Sequence, residues 1–161
     1  QYIQNLDKIE GYLKESMECI KWLDDDGLHQ AAEATRGMGK GIWLYQAELI
    51  KEAILRTPYG GKTEVQREIA KSLGFGERQA RVLLKAAETC QFGIQSPNLP
   101  IGPSFYAMAA KAENPMEAVK LLEERKIENP GYSLSQFQKD LGLEKAGRLI
   151  TCPSCGFQFT L

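Results

Sequence analysis

The sequence predicts a mainly α, multi-helix protein with a short C-terminal β/zinc-knuckle tail. Three observations predict it. Apolar residues recur every three or four positions in successive blocks of the chain, the spacing of one helix face. Before residue 148 nothing alternates convincingly at period two, as a half-buried strand would. Helix-starting and helix-stopping residues sit at the block edges, among them Thr63, Gly74, the Asn114-Pro115 pair and Ser133.

Taken in order, Ile3, Leu6, Ile9, Leu13, Met17, Ile20 and Leu23 predict a helix over 3–25. Asp24, Asp25, Asp26 and Gly27 are poor helix propagators and are expected to end it. Leu6, Leu13 and Ile20 are seven apart, as in a coiled-coil seam. A core-facing stripe is the favoured reading of so short a run, and a dimerising helix the alternative. A helical pattern resumes over 28–37. The glycines of GMGKG (37–41) then interrupt it and read as a hinge or a tight helix crossing. They are not a phosphate loop, because the G-x-x-x-x-G-K-[ST] spacing and a preceding apolar strand are both missing.

Ile42, Tyr45, Leu49, Ala53, Ile50 and Ile54 predict an amphipathic helix over 42–55, stopped by TPYGG (57–61). Thr63 with Gln66 satisfies the capping-box pattern for a helix running to about Leu73. Gly74 is suited to the left-handed conformation that ends it, and the next helix is expected from near Glu77 to near Cys90. Residues 91–103, with three prolines and two glycines, read as a linker or ordered loop. Ser104 is expected to cap SFYAMAAKA, Asn114 and Pro115 to open MEAVKLLEERKIE, and Ser133 to cap LSQFQKDLG. Trp22 and Trp43 are expected in the core. The organisation expected is an N-terminal helical region over 1–61, a helix-turn-helix over 62–90, a helical support region over 100–142 and a knuckle tail over 148–161.

Composition bounds the function. The 161 residues are 43% hydrophobic and 25% charged, which is ordinary globular composition. The formal net charge is −1, so any nucleic-acid surface must be a local basic patch. No apolar run approaches the roughly 18–20 residues that span a bilayer, and the polar opening QYIQNLDKIE does not read as a secretory signal. The chain begins with Gln rather than Met and reads as a trimmed fragment. Its four cysteines lack the regular spacing of a secreted disulfide scaffold, so a reducing cytoplasm is expected.

The stretch QREIAKSLGFGERQARVLLK (66–85) carries the functional expectation. Ile69 and Leu73 supply core contacts, Ala70 a close helix approach and Gly74 the turn, while Ala80 and Leu83 face inward from the second helix. Its outward positions include Arg78, Gln79 and Arg81. Arg grips guanine O6 and N7 with two hydrogen bonds and Gln does the same for adenine, so these three are the candidate base readers. Lys62, Thr63, Arg67, Lys71 and Lys85 are the candidate phosphate contacts.

With those residues in view, 62–90 resembles the helix-turn-helix domains of bacterial, phage and plasmid DNA-binding proteins, in which I-A-x-x-L-G precedes an arginine-bearing helix. Downstream, Asn114, Pro115, Glu117 and Ala118, then Ser133 and Phe137, resemble more faintly the helical segment behind the reader in ParB-like partition proteins. No ParB nucleotide-binding motif accompanies them. The resemblance implies a plasmid- or phage-type DNA-binding regulator.

At the C-terminus TCPSCGFQF (151–159) has the C-P-x-C-G form of a zinc knuckle. Cys152 and Cys155 are spaced to aim two thiolates at one ion, and FQF alternates like the strand of a zinc ribbon. It resembles one half of a rubredoxin-like ribbon, whereas structural zinc takes four ligands. A second knuckle beyond Leu161, a site shared by two chains, and recruitment of Cys19, Cys90 or His29 all remain open completions. A pair of free thiols, or an adventitious disulfide, is the alternative to zinc.

Catalysis finds little support, since the single histidine, His29, builds no triad by itself. The expectation is therefore not an enzyme. It is a sequence-specific binder of double-stranded DNA, acting as a homodimeric transcriptional regulator or a replication or partition accessory protein. The alternative is a helical protein-interaction adaptor, or a recruitment subunit of a nucleic-acid enzyme.

Overall fold

The computed structural model describes residues 15–38, 42–93, 101–143, 149–151 and 158–160. Residues 15–19 are helical and tighten into a 3-10 turn at Ile20–Trp22. Seven α-helices follow: α1 Asp25–Ala34, α2 Trp43–Arg56, α3 Lys62–Leu73, α4 Glu77–Cys90, α5 Pro103–Ala109, α6 Pro115–Glu128 and α7 Leu134–Asp140. Two three-residue strands, β1 Leu149–Thr151 and β2 Gln158–Thr160, pair antiparallel with Leu149 opposite Thr160. The protein is mainly helical, as the periodicity requires.

Local chemistry explains most boundaries. Asn114 accepts a hydrogen bond from the Glu117 amide, and Pro115 fills the first helical position of α6, where a missing N–H costs nothing. Ser133 and Gln136 form a full capping box at the start of α7. Three boundary expectations are corrected. The acids at 24–26 open a helix: Asp24 caps α1 through the Gly27 amide at 2.7 Å, and Asp25 and Asp26 sit in its first turn, where carboxylates complement the helix dipole. Helix α3 begins at Lys62 with Gly61 as its N-cap, so Thr63 lies inside the helix and makes no cap. Helix α5 begins at Pro103 behind Gly102, so Ser104 is not a cap either.

Two apolar clusters hold the helices. The first gathers Leu28 and Ala32 of α1, Ala47, Leu49, Ile50 and Ala53 of α2, Ile69, Ala70 and Leu73 of α3, and Ala80, Leu83 and Ala87 of α4. Ile20 is buried there too, so one member of the seven-spaced series serves the intrachain core. Leu6 and Leu13 lie outside the described residues. The second cluster joins Ala86 and Cys90 of α4 to Ile101, Tyr106, Ala109, Ala118, Val119, Leu122, Tyr132 and Phe137. Trp43 and Leu44 pack against both.

Polar groups inside this packing are paired. The Gln46 side chain, buried in the apolar face of α2, donates to the Thr35 carbonyl at 3.1 Å. His29 Nδ1 lies 2.7 Å from Ser72 Oγ and links α1 to α3. Arg56 at the end of α2 donates to the carbonyls of Ile20, Lys21 and Leu23, fastening the 3-10 turn. That turn leaves Trp22 88% exposed, which corrects its expected place in the core.

The two tryptophans should therefore respond differently. Trp43→Ala removes the ring shared by both clusters and should cost about 3 kcal/mol, the lower end for a core aromatic because Trp43 is only half-buried. Trp22→Ala should stay within about 0.5 kcal/mol. Urea unfolding followed by circular dichroism checks both.

The second cluster also sets an alkaline limit. Burial pushes the Cys90 thiol up to about 11 from 9.0. Burial, with the nearby Glu123 carboxylate and Cys90 adding to it, pushes the Tyr106 phenol up to about 12 from 10.0. Both folded-state values lie above the unfolded ones, so their contribution is fully present below about pH 9 and lost as pH rises through 9 to 12. The urea midpoint should fall across that window, and it should fall less in Tyr106→Phe, which has no phenolic proton to lose.

Candidate nucleic-acid interface

Helices α3 and α4 are joined by three residues, and the turn is closed by Gly74 in the left-handed region at φ 78°. The Gly74 amide donates to the Lys71 carbonyl at 3.0 Å and the Phe75 amide to the Ala70 carbonyl at 2.8 Å. These are the paired bonds of a Schellman helix end, and the Phe75 ring packs on the first cluster as that motif's apolar contact. A side chain at Gly74 would meet a second obstacle. An added Cβ would lie 2.8 Å from Arg36 Nε and 3.3 Å from Arg36 Cγ.

The inward residues lie where their spacing places them. Ile69, Ala70, Leu73, Ala80 and Leu83 are all buried. Outward, Arg78, Gln79, Arg81 and Lys85 on α4 and Lys62, Thr63, Arg67 and Lys71 on α3 are exposed. At about 100° per residue, Arg78, Arg81 and Lys85 fall within about 60° of one another around α4. Gln79 is about 160° from Arg81, on the other flank. Six cations and four acids occupy 62–90, so the hairpin is locally basic within a chain of net charge −1.

Glu77, in the first turn of α4, organises part of this face. Its carboxylate accepts a hydrogen bond from Arg67 Nε of α3, and its other oxygen lies 3.6 Å from Arg81 Nη2. The hydrogen bond and charge of Arg67, with the charge of Arg81 adding to them, hold the Glu77 carboxyl below its ordinary range. Lys85 pairs with Glu88 at 3.2 Å. Among the described residues, Arg78, Lys62 and Lys71 have no ion-pair partner, which leaves them available to an external anion. The structure thus brings Arg67 and Arg81 together through one carboxylate and stands Arg78 apart from them.

Sequence reading missed Arg36. Its side chain crosses from the turn after α1 to lie against Gly74, adding a cation beside the end of α3. The contact spans 38 positions in sequence, and no local spacing signals it.

A cleft lies elsewhere, at the start of α6 and the end of α7. About 780 Å³ in volume, it is lined by Glu113, Asn114, Glu117, Asp140, Ala112, Ala118, Leu121 and Leu141. Asp140 there accepts from Tyr132 Oη at 2.7 Å and lies 3.4 Å from Arg125 Nε. Three carboxylates give this cleft the wrong sign for a phosphate. Among the described residues no group of His, Cys, Asp or Glu is arranged to hold a metal ion. Cys152 and Cys155 lie outside the described residues, between the paired strands β1 and β2. No helix among the described residues is long and apolar enough to cross a membrane.

No protein-family model, curated protein or solved structure matches this chain.

Gly74→Ala should destabilise the protein by about 1–2 kcal/mol, from the positive φ alone, plus whatever displacement Arg36 requires. Gly74→Asn should cost less, because Asn tolerates the left-handed region better. Thermal unfolding of the two variants separates backbone strain from steric displacement.

Proposed function

We propose that the protein binds double-stranded DNA sequence-specifically, as a transcriptional regulator or a replication or partition accessory factor. The observation that carries this reading is the exposed Arg78–Arg81–Lys85 face on a helix whose opposite side is locked into two cores. A side chain can discriminate base edges only if its helix holds it at a fixed depth and angle in the major groove. Arg78 and Arg81 are the base readers in this proposal, with Gln79 reaching from the flank. Lys62, Thr63, Arg67, Lys71 and Lys85, joined by Arg36, contact phosphates. The acidic cleft on α6 and α7 is repelled by the duplex and biases which side approaches it.

The remaining parts fit the same reading. Binding as a homodimer would present two such faces to a two-fold operator. Cys152 and Cys155 supply half of a zinc site, and the antiparallel pairing of β1 with β2 supports a knuckle between them. Zinc content measured by atomic absorption in the purified protein, against a Cys152→Ser/Cys155→Ser variant, checks that half-site.

A second reading, a helical protein-interaction adaptor, is favoured by Trp22. A tryptophan left 88% exposed is a common anchor for a protein partner. The exposed arginines separate the two readings. Arg78→Ala/Arg81→Ala should weaken binding to a duplex selected from a random pool by about 30-fold or more, since a bidentate base contact is worth about 1–3 kcal/mol. Helix content should not change. An enriched motif whose affinity falls steeply with salt supports the DNA reading. No enrichment and negligible binding at low salt would give the adaptor the lead.

A further inference from the structure

We infer that Glu77 is a specificity-determining residue that competes with DNA for Arg67 and Arg81; the inference rests on the DNA-binding reading above. Without a duplex, this one carboxylate occupies cations from both helices of the hairpin: Arg67 by a hydrogen bond from α3, and Arg81 at 3.6 Å one turn along α4. Glu77 also stands at the entrance of α4, the part of a recognition helix that meets base edges first.

Two consequences follow from charge alone. On an unrelated duplex the arginines reach phosphates only by abandoning Glu77, which leaves a carboxylate facing a polyanion with nothing to accept from. Non-specific binding is thereby weakened. A cytosine N4 amino group in the major groove is a donor that a carboxylate accepts. A site offering one satisfies Glu77 and releases Arg67 and Arg81 to the DNA together. Glu77 therefore couples the release of two cations to the presence of one base, and a C·G pair is expected where the first turn of α4 meets the groove.

Glu88 provides an internal control. It carries the same charge on the same helix and, among the described residues, pairs with Lys85 alone, three residues away, at 3.2 Å. Neutralising it changes the net charge equally without releasing the Arg67–Arg81 pair.

The test measures binding of the wild type, Glu77→Gln and Glu88→Gln to the selected duplex and to an unrelated one across a salt series. Circular dichroism confirms equal helix content. Glu77→Gln should bind the unrelated duplex about 10-fold more tightly, with a log K against log salt slope steeper by about one to two as the released arginines displace counterions. Its preference for the selected site, and for C·G at one position, should fall correspondingly. Glu88→Gln, which frees only Lys85, should tighten binding to both duplexes alike, by less than about threefold, and leave the preference for the selected site and for C·G unchanged. Equal effects of the two variants, or no effect of Glu77→Gln beside a normally selective wild type, overturn the role of Glu77 and leave DNA binding intact. A wild type that selects no motif and binds no duplex at low salt overturns both readings.

Discussion

Helix α4 is built into two apolar cores at once, and the rest of the molecule is arranged around that constraint. Ala80, Leu83 and Ala87 face the cluster formed with α1, α2 and α3, whereas Ala86 and Cys90 face the cluster formed with α5, α6 and α7. Most of these residues are alanines. Small side chains let several helices approach one helix closely, and close approach leaves little room to roll or slide in a tightly packed interior. Trp43 and Leu44, packed against both clusters, tie the same two sets of helices a second time through α2. The orientation of the outer face of α4 is therefore set by the whole helical body.

This anchoring separates what α4 supports from what it displays. Its inner residues are fixed by volume. Its outer residues touch solvent and one another through exposed ion pairs, whose contribution to folding is small because water and salt screen them. Arg67, Glu77 and Arg81 are accordingly disposed to exchange partners, since little of the fold depends on which anion the arginines hold. Exposed pairs on a rigid helix suit recognition of an external polyanion better than buried pairs would, because a buried charge cannot change partner without a large desolvation cost.

Much of the fold was legible in the sequence, for a physical reason in each case. The interior of 66–85 could be read because Ile69, Ala70, Leu73, Gly74, Ala80 and Leu83 act within one supersecondary unit, where spacing determines contact. Asn114 and Ser133 were legible because their caps bond within three residues. Thr63 failed although its pattern was the same: Gly61 and the preceding turn start α3 two residues earlier. Asp24–Asp26 failed because a run of acids reads equally well as the end of one helix or the start of the next, and here Leu23 is extended before Asp24 caps α1. Trp22 failed because hydrophobicity gives no sign that a 3-10 turn, held by Arg56 from 33 or more residues away, directs the ring outward. The long-range contributors, Gln46 to Thr35, His29 to Ser72 and Arg36 on Gly74, have no sequence period at all.

The same distinction bears on the candidate interface. The identities of its cations were readable from the sequence; the connection between them was not. Glu77 reads as an ordinary first-turn acid that favours the start of α4 through the helix dipole. Only the three-residue turn, which sets α4 across the end of α3, brings that carboxylate to Arg67, ten positions back. Spacing within α4 places Arg81 one turn beyond it, and Gly74 together with Phe75 fixes how the two helices meet. The residue that holds the hairpin together by backbone geometry, Gly74, and the residue that arranges its outer charges, Glu77, are thus three apart in sequence. The turn that makes the hairpin a packed unit is also what makes its arginines share one anion.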